Sequence, residues 1–119
     1  MKLIIAGGRD IGKKWCWGMI TDLLQEFQLE NISEVVSGAC KGIDDLGEWY
    51  AFNMSKSVKK FPADWDKHGK AAGPIRNKEM AEYADALLLI WNGKSRGSAS
   101  MKREMEKLGK PIYEVILRS

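Results

Sequence analysis

The sequence predicts an α/β fold: a mostly parallel five-stranded sheet with helices on both faces. Three observations carry this prediction. Compact apolar runs, which read as buried strands, alternate with segments whose apolar residues recur at helical spacing. The alternation is regular enough to give β-α-β-α-β-α-β-α-β, the order expected of a parallel sheet covered on both sides. Glycine and other small residues then cluster where strands should hand over to helices.

The elements follow in order. "KLIIA" (2–6) is a first buried strand ending at Gly7-Gly8. Residues 13–29 place Cys16, Met19, Ile20, Leu23, Leu24 and Phe27 on one helical face. "ISEVVS" (32–37) is the second strand, and residues 44–55 set Leu46, Trp49, Tyr50 and Met54 at helical intervals. "SVKKF" (57–61) is a more polar strand that suits a sheet edge, and residues 62–73 have no period. Pro74 fits the first turn of a helix, where its missing N–H would be unpaired anyway, and that helix runs to about Ala84. "ALLLIW" (86–91) is the most apolar segment and is expected at the centre of the sheet. "NGKSRG" (92–97) is a loop. Met101, Met105 and Leu108 mark a last helix, stopped by Gly109 and Pro111, and "IYEVIL" (112–117) is the final strand.

A chain of 119 residues suits one domain, here 1–119, and 45% hydrophobic content supports a globular core. No apolar run approaches the roughly 18 residues of a membrane span, and "MKLIIA" is too short for a signal peptide. Two cysteines without metal-ligand spacing point to a reduced, cytoplasmic protein. The net charge of +3 is modest and its lysines are interleaved with acids, so an anionic small molecule is favoured over nucleic acid.

In sheets of this kind ligands bind beyond the carboxyl ends of the strands. That directs attention to the loops 7–12, 37–44, 62–73 and 92–98. "GGRDIGKK" nearly matches a phosphate loop, but Lys14 stands where a hydroxyl would ligate magnesium. The better reading is that Gly7 and Gly8 let backbone approach a ligand, with Arg9 and Asp10 projecting into the same cleft. "SGACKGIDD" (37–45) offers Ser37, Gly38 and Gly42, with backbone amides at a helix start that attract anions and with Asp44 or Asp45 as N-cap. Cys40 reads as a packed small residue. In the third loop Trp65 is placed either to stack on a base or to serve as a structural lid, while Arg76 and Asn77 in the next helix reach the cleft, the arginine suited to phosphate. Asp64, Asp66 and His68 fall short of a metal-ligand set, and no metal site is assigned. Gly97 and Ser98 open the last helix and form a second anion-ready N-terminus.

Together "IIAGGRD", "VVSGACKGIDDLGEWYA", "FPADWDKHGKAAGPIRNKEMAEYADALLLIW" and "GKSRGSASM…GKPIYEV" resemble the YspA-like (YpsA-related) family of the SLOG superfamily, over nearly the whole chain. The resemblance implies a Rossmann-like fold and kinship with the LONELY GUY phosphoribohydrolases and the DNA-processing protein DprA. "SGACKGID" is similar to the S-G-x-A-x-G-I-D loop of DprA. "PIRNKEMAEYAD" is similar to the P-x-R-N stretch of DprA and to R-K-x-x-M…A-D of the phosphoribohydrolases, which puts Arg76 at the family's arginine. Gly97 and Ser98 match the G-T pair of P-G-G-x-G-T-x-E-E, but Ser100 and Met101 stand where the catalytic glutamate would be.

The function expected is the binding of a nucleotide-derived, phosphate-bearing ligand, ADP-ribose-like or nucleotide, with no obligatory cofactor. The protein would act as a sensor or as a hydrolase of an N-glycosidic or phosphoribosyl bond. In the hydrolase reading Arg76 holds phosphate and an acid, Asp44 or Asp10, assists the leaving group. The alternatives are a DprA-like single-stranded DNA binder and a dimeric interaction module without catalysis. The family's dimers make a homodimer an expected partner, with Trp15 and Trp17 on the first helix as a candidate interface.

Overall fold

The structure is a computed structural model that describes residues 1–9 and 16–117. Five strands form one sheet: β1 (Lys2–Gly7), β2 (Glu34–Ser37), β3 (Ser57–Lys60), β4 (Ala86–Trp91) and β5 (Ile112–Ile116). Their order is β3-β2-β1-β4-β5, and every pairing is parallel. The helices are α1 (Trp17–Glu26), α2 (Ile43–Asn53), α3 (Trp65–His68), α4 (Ala72–Tyr83) and α5 (Arg96–Lys107).

Both faces of the sheet are covered, which is why its inner strands are apolar at consecutive positions. Leu3, Ile5, Val35, Leu88 and Ile90 turn toward α1 and α2, where they meet Ile20, Leu24, Ile43, Leu46 and Tyr50. Ile4, Val36, Leu87 and Leu89 turn the other way, toward Met80 and Ala81 of α4 and Met101 and Met105 of α5. Each large side chain buried in this way stabilises the fold by about 1.5–3 kcal/mol.

The two-sided parallel sheet, the strand boundaries and the edge position of β3 match the expectation. Four details differ. β1, not β4, is the middle strand, because β1 pairs with both β2 and β4. All six residues of β4 are nevertheless buried, since α5 and β5 cover it as fully as its neighbours cover β1. The segment expected to lack structure holds α3, started by Asp64, whose carboxylate accepts the Lys67 amide at 3.1 Å. Trp49 and Met54 are exposed rather than core-facing, because α2 lays Leu46, Gly47, Tyr50 and Ala51 of its later turns on the sheet. Trp17 packs against the core, so it is not an exposed interface residue, and Trp15 lies outside the described residues.

Candidate functional site

Strand order reverses direction at β1. The chain steps outward through β2 and β3, then returns to place β4 on the other side of β1. A crevice opens at the carboxyl ends of strands at such a switch point. Here it is a cleft of about 390 Å³, walled by the ends of β1 and β4, the 38–44 loop, α4 and the start of α5.

Of the residues expected at a site, Gly7, Gly8, Arg9, Gly38, Asp44, Arg76, Asn77, Gly97 and Ser98 line this cleft. Ser37, Gly42 and Trp65 do not, and Asp10 lies outside the described residues. Ser37 is buried behind the wall, donating from its hydroxyl to Glu48 at 2.6 Å and accepting the Ala39 amide at 3.1 Å. Gly42 is the joint between two loops. Its φ is +84°, and a Cβ there would stand 2.4 Å from the Gly8 carbonyl oxygen, so only glycine lets α2 start this close to β1. Trp65 is 53% exposed, with its ring edge over Gly73, because α3 carries it to the outside of the 62–73 segment.

Asp44 or Asp45 is the helix cap that the sequence leads one to expect. Gly42 takes that position instead, and Asp44, in the first turn of α2, bends its carboxylate back to accept the Cys40 amide at 3.4 Å. Two more amides are taken: that of Ala39 by Ser37, and that of Ile43 by the Gly8 carbonyl at 3.4 Å. The start of α5 is organised by side chains of its own loop. Ser95 caps it, accepting the Ser98 amide, and the Asn92 side chain accepts the amides of Lys94 and Ser95 at 2.8 and 3.1 Å. Among the described residues, the amides of Arg96 and Gly97 have no protein partner. These are unpaired first-turn donors at the positive end of a helix dipole.

Arg76 reaches from α4 across the cleft. Its Nη1 donates to the Gly38 carbonyl at 2.6 Å and approaches the Cys40 sulfur at 3.6 Å. Its Nε donates to the Asn77 side-chain oxygen at 2.9 Å. Asn77 is buried, and its amide donates at 3.2 Å both to the Gly97 carbonyl and to the Ser100 hydroxyl. One side chain thus ties the arginine to the opening turn of α5.

Asp44 is the only carboxylate that lines the cleft among the described residues. Burial pushes its carboxyl up to about 7; the Cys40 amide and the Arg76 guanidinium pull the other way, and Glu48 adds to the rise. It can therefore hold or release a proton near neutrality. The glutamate position of the phosphoribohydrolases carries Ser100, whose hydroxyl is engaged with Asn77, and Met101, which is buried in the cleft floor.

Residues 1–68 match the family model described as "YspA, cpYpsA-related SLOG family". The chain belongs to that family. Among similar proteins, "Gene 61 protein" of Mycobacterium phage D29 is 37% identical over 84 residues, which cover 66% of this chain and 67% of the phage protein. The solved structure of DNA processing protein A (DprA) from Streptococcus pneumoniae superposes on 95% of the chain, with a TM-score of 0.71 and 19% sequence identity. The match takes in 49% of that DprA chain, so this SLOG protein spans about half its length, and the likeness is one of fold. The residues matched by the family model include the Gly7–Arg9 and 37–45 loops, while Arg76, Asn77 and the α5 start come into the cleft from beyond them.

Sequence reading missed Asn92, Met80, Met101 and Cys40 as lining residues. Asn92 carried a signal, since Asn-Gly after a strand marks a turn whose side chain organises nearby amides. The methionines carried none, because residues at helical spacing read as core, and here they serve as core and cleft floor together.

Proposed function

We propose that this protein binds a nucleotide-derived ligand in the cleft between β1 and β4, with a phosphate held between Arg76 and the unpaired amides that begin α5. The observation that supports this most directly is the Asn77 bridge, which fixes a guanidinium and a donor-rich helix start on one site. A cation fork and oriented amides together form a charge-assisted phosphate cradle. Asp44, whose carboxyl burial pushes up to about 7, would lie beside the sugar or the leaving group. It would serve a sensor as a hydrogen-bonding group and a hydrolase as the general acid.

A cytoplasmic location is part of this proposal, supported by two cysteines without metal-ligand spacing; among the described residues no helix is long and apolar enough to cross a membrane. Thermal shift and calorimetry against AMP, ADP-ribose, NAD and phosphoribosylated bases test the reading. Stabilisation by at least one of them, lost in Arg76→Ala, is the expected result, and a uniformly flat screen would sink it. Release of free base from a bound phosphoribosyl compound, abolished in Asp44→Asn, separates hydrolase from sensor. The DprA-like alternative requires affinity for single-stranded DNA that falls steeply with salt.

A further inference from the structure

Glu48 lies on α2 one turn beyond Asp44 and does not line the cleft. Both of its side-chain oxygens are engaged. Oε1 accepts from Lys60 Nζ at 3.2 Å, and Oε2 accepts from the Ser37 hydroxyl at 2.6 Å. Ser37 is fully buried, so its hydroxyl has to be paired inside the protein. It is paired twice, donating to Glu48 and accepting the Ala39 amide at 3.1 Å.

The Ala39 amide shares one rigid peptide plane with the Gly38 carbonyl. Ser37 holds the N–H side of that plane, and Arg76 Nη1 donates to its carbonyl side at 2.6 Å. Ala39 itself has φ +58°, a left-handed conformation that a non-glycine residue keeps only where its surroundings impose it. The same turn brings the Cys40 amide to the Asp44 carboxylate at 3.4 Å. One line of hydrogen bonds therefore runs from Lys60 on the edge strand through Glu48, Ser37 and the 38–39 peptide to Arg76, Asn77 and the start of α5. Bonds in such a chain polarise one another. Glu48 also acts on Asp44 directly, because residues four apart on a helix are neighbours. Of the charged or titratable groups around Asp44, Glu48 shares its helix, Arg76 comes from α4, and Arg9 and Cys40 line the same cleft. Burial is the main cause of the raised Asp44 carboxyl; the Cys40 amide and Arg76 lower it, and Glu48 adds to the rise.

We infer that Ser37 and Glu48 are positioning residues of the cleft: they hold the 38–39 peptide in the orientation that gives Arg76 its carbonyl and Asp44 its amide. Ser37, which the sequence marks as a ligand-binding residue, acts instead through Arg76, and Glu48 acts through Ser37. The inference rests on the reading of Arg76 and Asp44 as the groups that meet the ligand.

Nuclear magnetic resonance of the ligand-free full chain tests it, through solvent exchange of the Arg76 Nε–H and the titration of the Asp44 carboxyl carbon. Ser37→Ala and Glu48→Ala should speed exchange of the Arg76 Nε–H by about 2- to 10-fold, the value of one hydrogen bond, because the guanidinium moves as one plane. Glu48→Gln keeps an acceptor for the Ser37 hydroxyl and should leave that exchange at the wild-type rate. Both Glu48 variants should lower the Asp44 midpoint, since a like charge is gone, and a merely structural side chain would not move it. An Arg76 signal indifferent to Ser37→Ala overturns the inference. So does a Glu48→Gln that exchanges as fast as Glu48→Ala, or an Asp44 midpoint unmoved in both Glu48 variants. No ligand enters these measurements, so they decide the inference separately from the ligand screen that decides the functional reading.

Discussion

Asp44 and Arg76 meet at Gly38 without forming an ion pair. A Cβ on Gly38 would stand 2.8 Å from the Asp44 carboxylate and 2.9 Å from the Arg76 guanidinium, so the missing side chain is what lets both reach the cleft wall. Arg76 spends Nη1 on the Gly38 carbonyl instead of on the acid. The aspartate is left buried, with the Cys40 and Gly7 amides pulling its carboxyl down less than burial pushes it up, to about 7.

That environment sets a pH dependence. The folded-state value lies above the ordinary 3.8 of the unfolded chain, so the unfolded state ionises first as pH rises. The Asp44 contribution to stability is therefore greatest below about pH 4, is lost progressively up to about pH 7, and is constant beyond. The loss is on the order of 4 kcal/mol if no other group compensates. Urea denaturation of Asp44→Asn against wild type at several pH values should show this slope removed, with the variant more stable at pH 8. Binding of a phosphate ligand should also weaken above pH 7 in the wild type and stay level in the variant, since an ionised Asp44 repels it.

Arg76→Ala should lower the affinity for a phosphate-bearing ligand by about 10- to 100-fold, the range of a lost charge-assisted hydrogen-bond pair. Arg76→Lys should recover little of it, because a point charge cannot serve the Gly38 carbonyl, the Asn77 oxygen and a phosphate together. Calorimetry on the three proteins gives the comparison. Equal affinities for Lys and Arg would show that charge alone suffices.

Asn77→Ala removes three hydrogen bonds from a buried position and should cost about 1–3 kcal/mol of stability. It should also weaken ligand binding without touching the ligand, because it frees Arg76 from the α5 start. A double-mutant cycle with Arg76→Ala should show a coupling energy of at least about 0.5 kcal/mol in binding. Strict additivity would separate the two residues.

Arg96→Pro tests the amides of α5 directly. Ser95 is extended, with φ −60° and ψ 130°, which suits a residue before proline, and position 96 is the first of the helix. Proline there deletes one N–H while keeping the helix. Relative to Arg96→Ala, it should melt no lower and bind phosphate at least about 10-fold more weakly, the value of one hydrogen bond to a charged group. Equal binding by the two variants would move the phosphate away from the start of α5.

The alternation of apolar runs and helical spacing was enough to predict a parallel sheet covered on both sides, its edge strand and the loops at its ligand-binding end. Such patterns are local: a buried strand and an amphipathic helix each state their own burial in a dozen residues. The sequence also placed Gly7, Gly38, Asp44, Arg76 and Gly97 near the cleft, because all lie where strands end or helices begin. Tertiary structure alone decided which groups take amides at the two helix starts. Both read as anion sites; Ser37, Asp44 and Gly8 take the amides of Ala39, Cys40 and Ile43, while Asn92 and Ser95 take those of Lys94, Ser95 and Ser98. It also decided that Trp65 faces outward, that Trp49 and Phe52 are bare, and that Asp44 titrates near neutrality. Each of those depends on what stands across a gap of a few ångströms from a residue distant in sequence, and no local spacing records that.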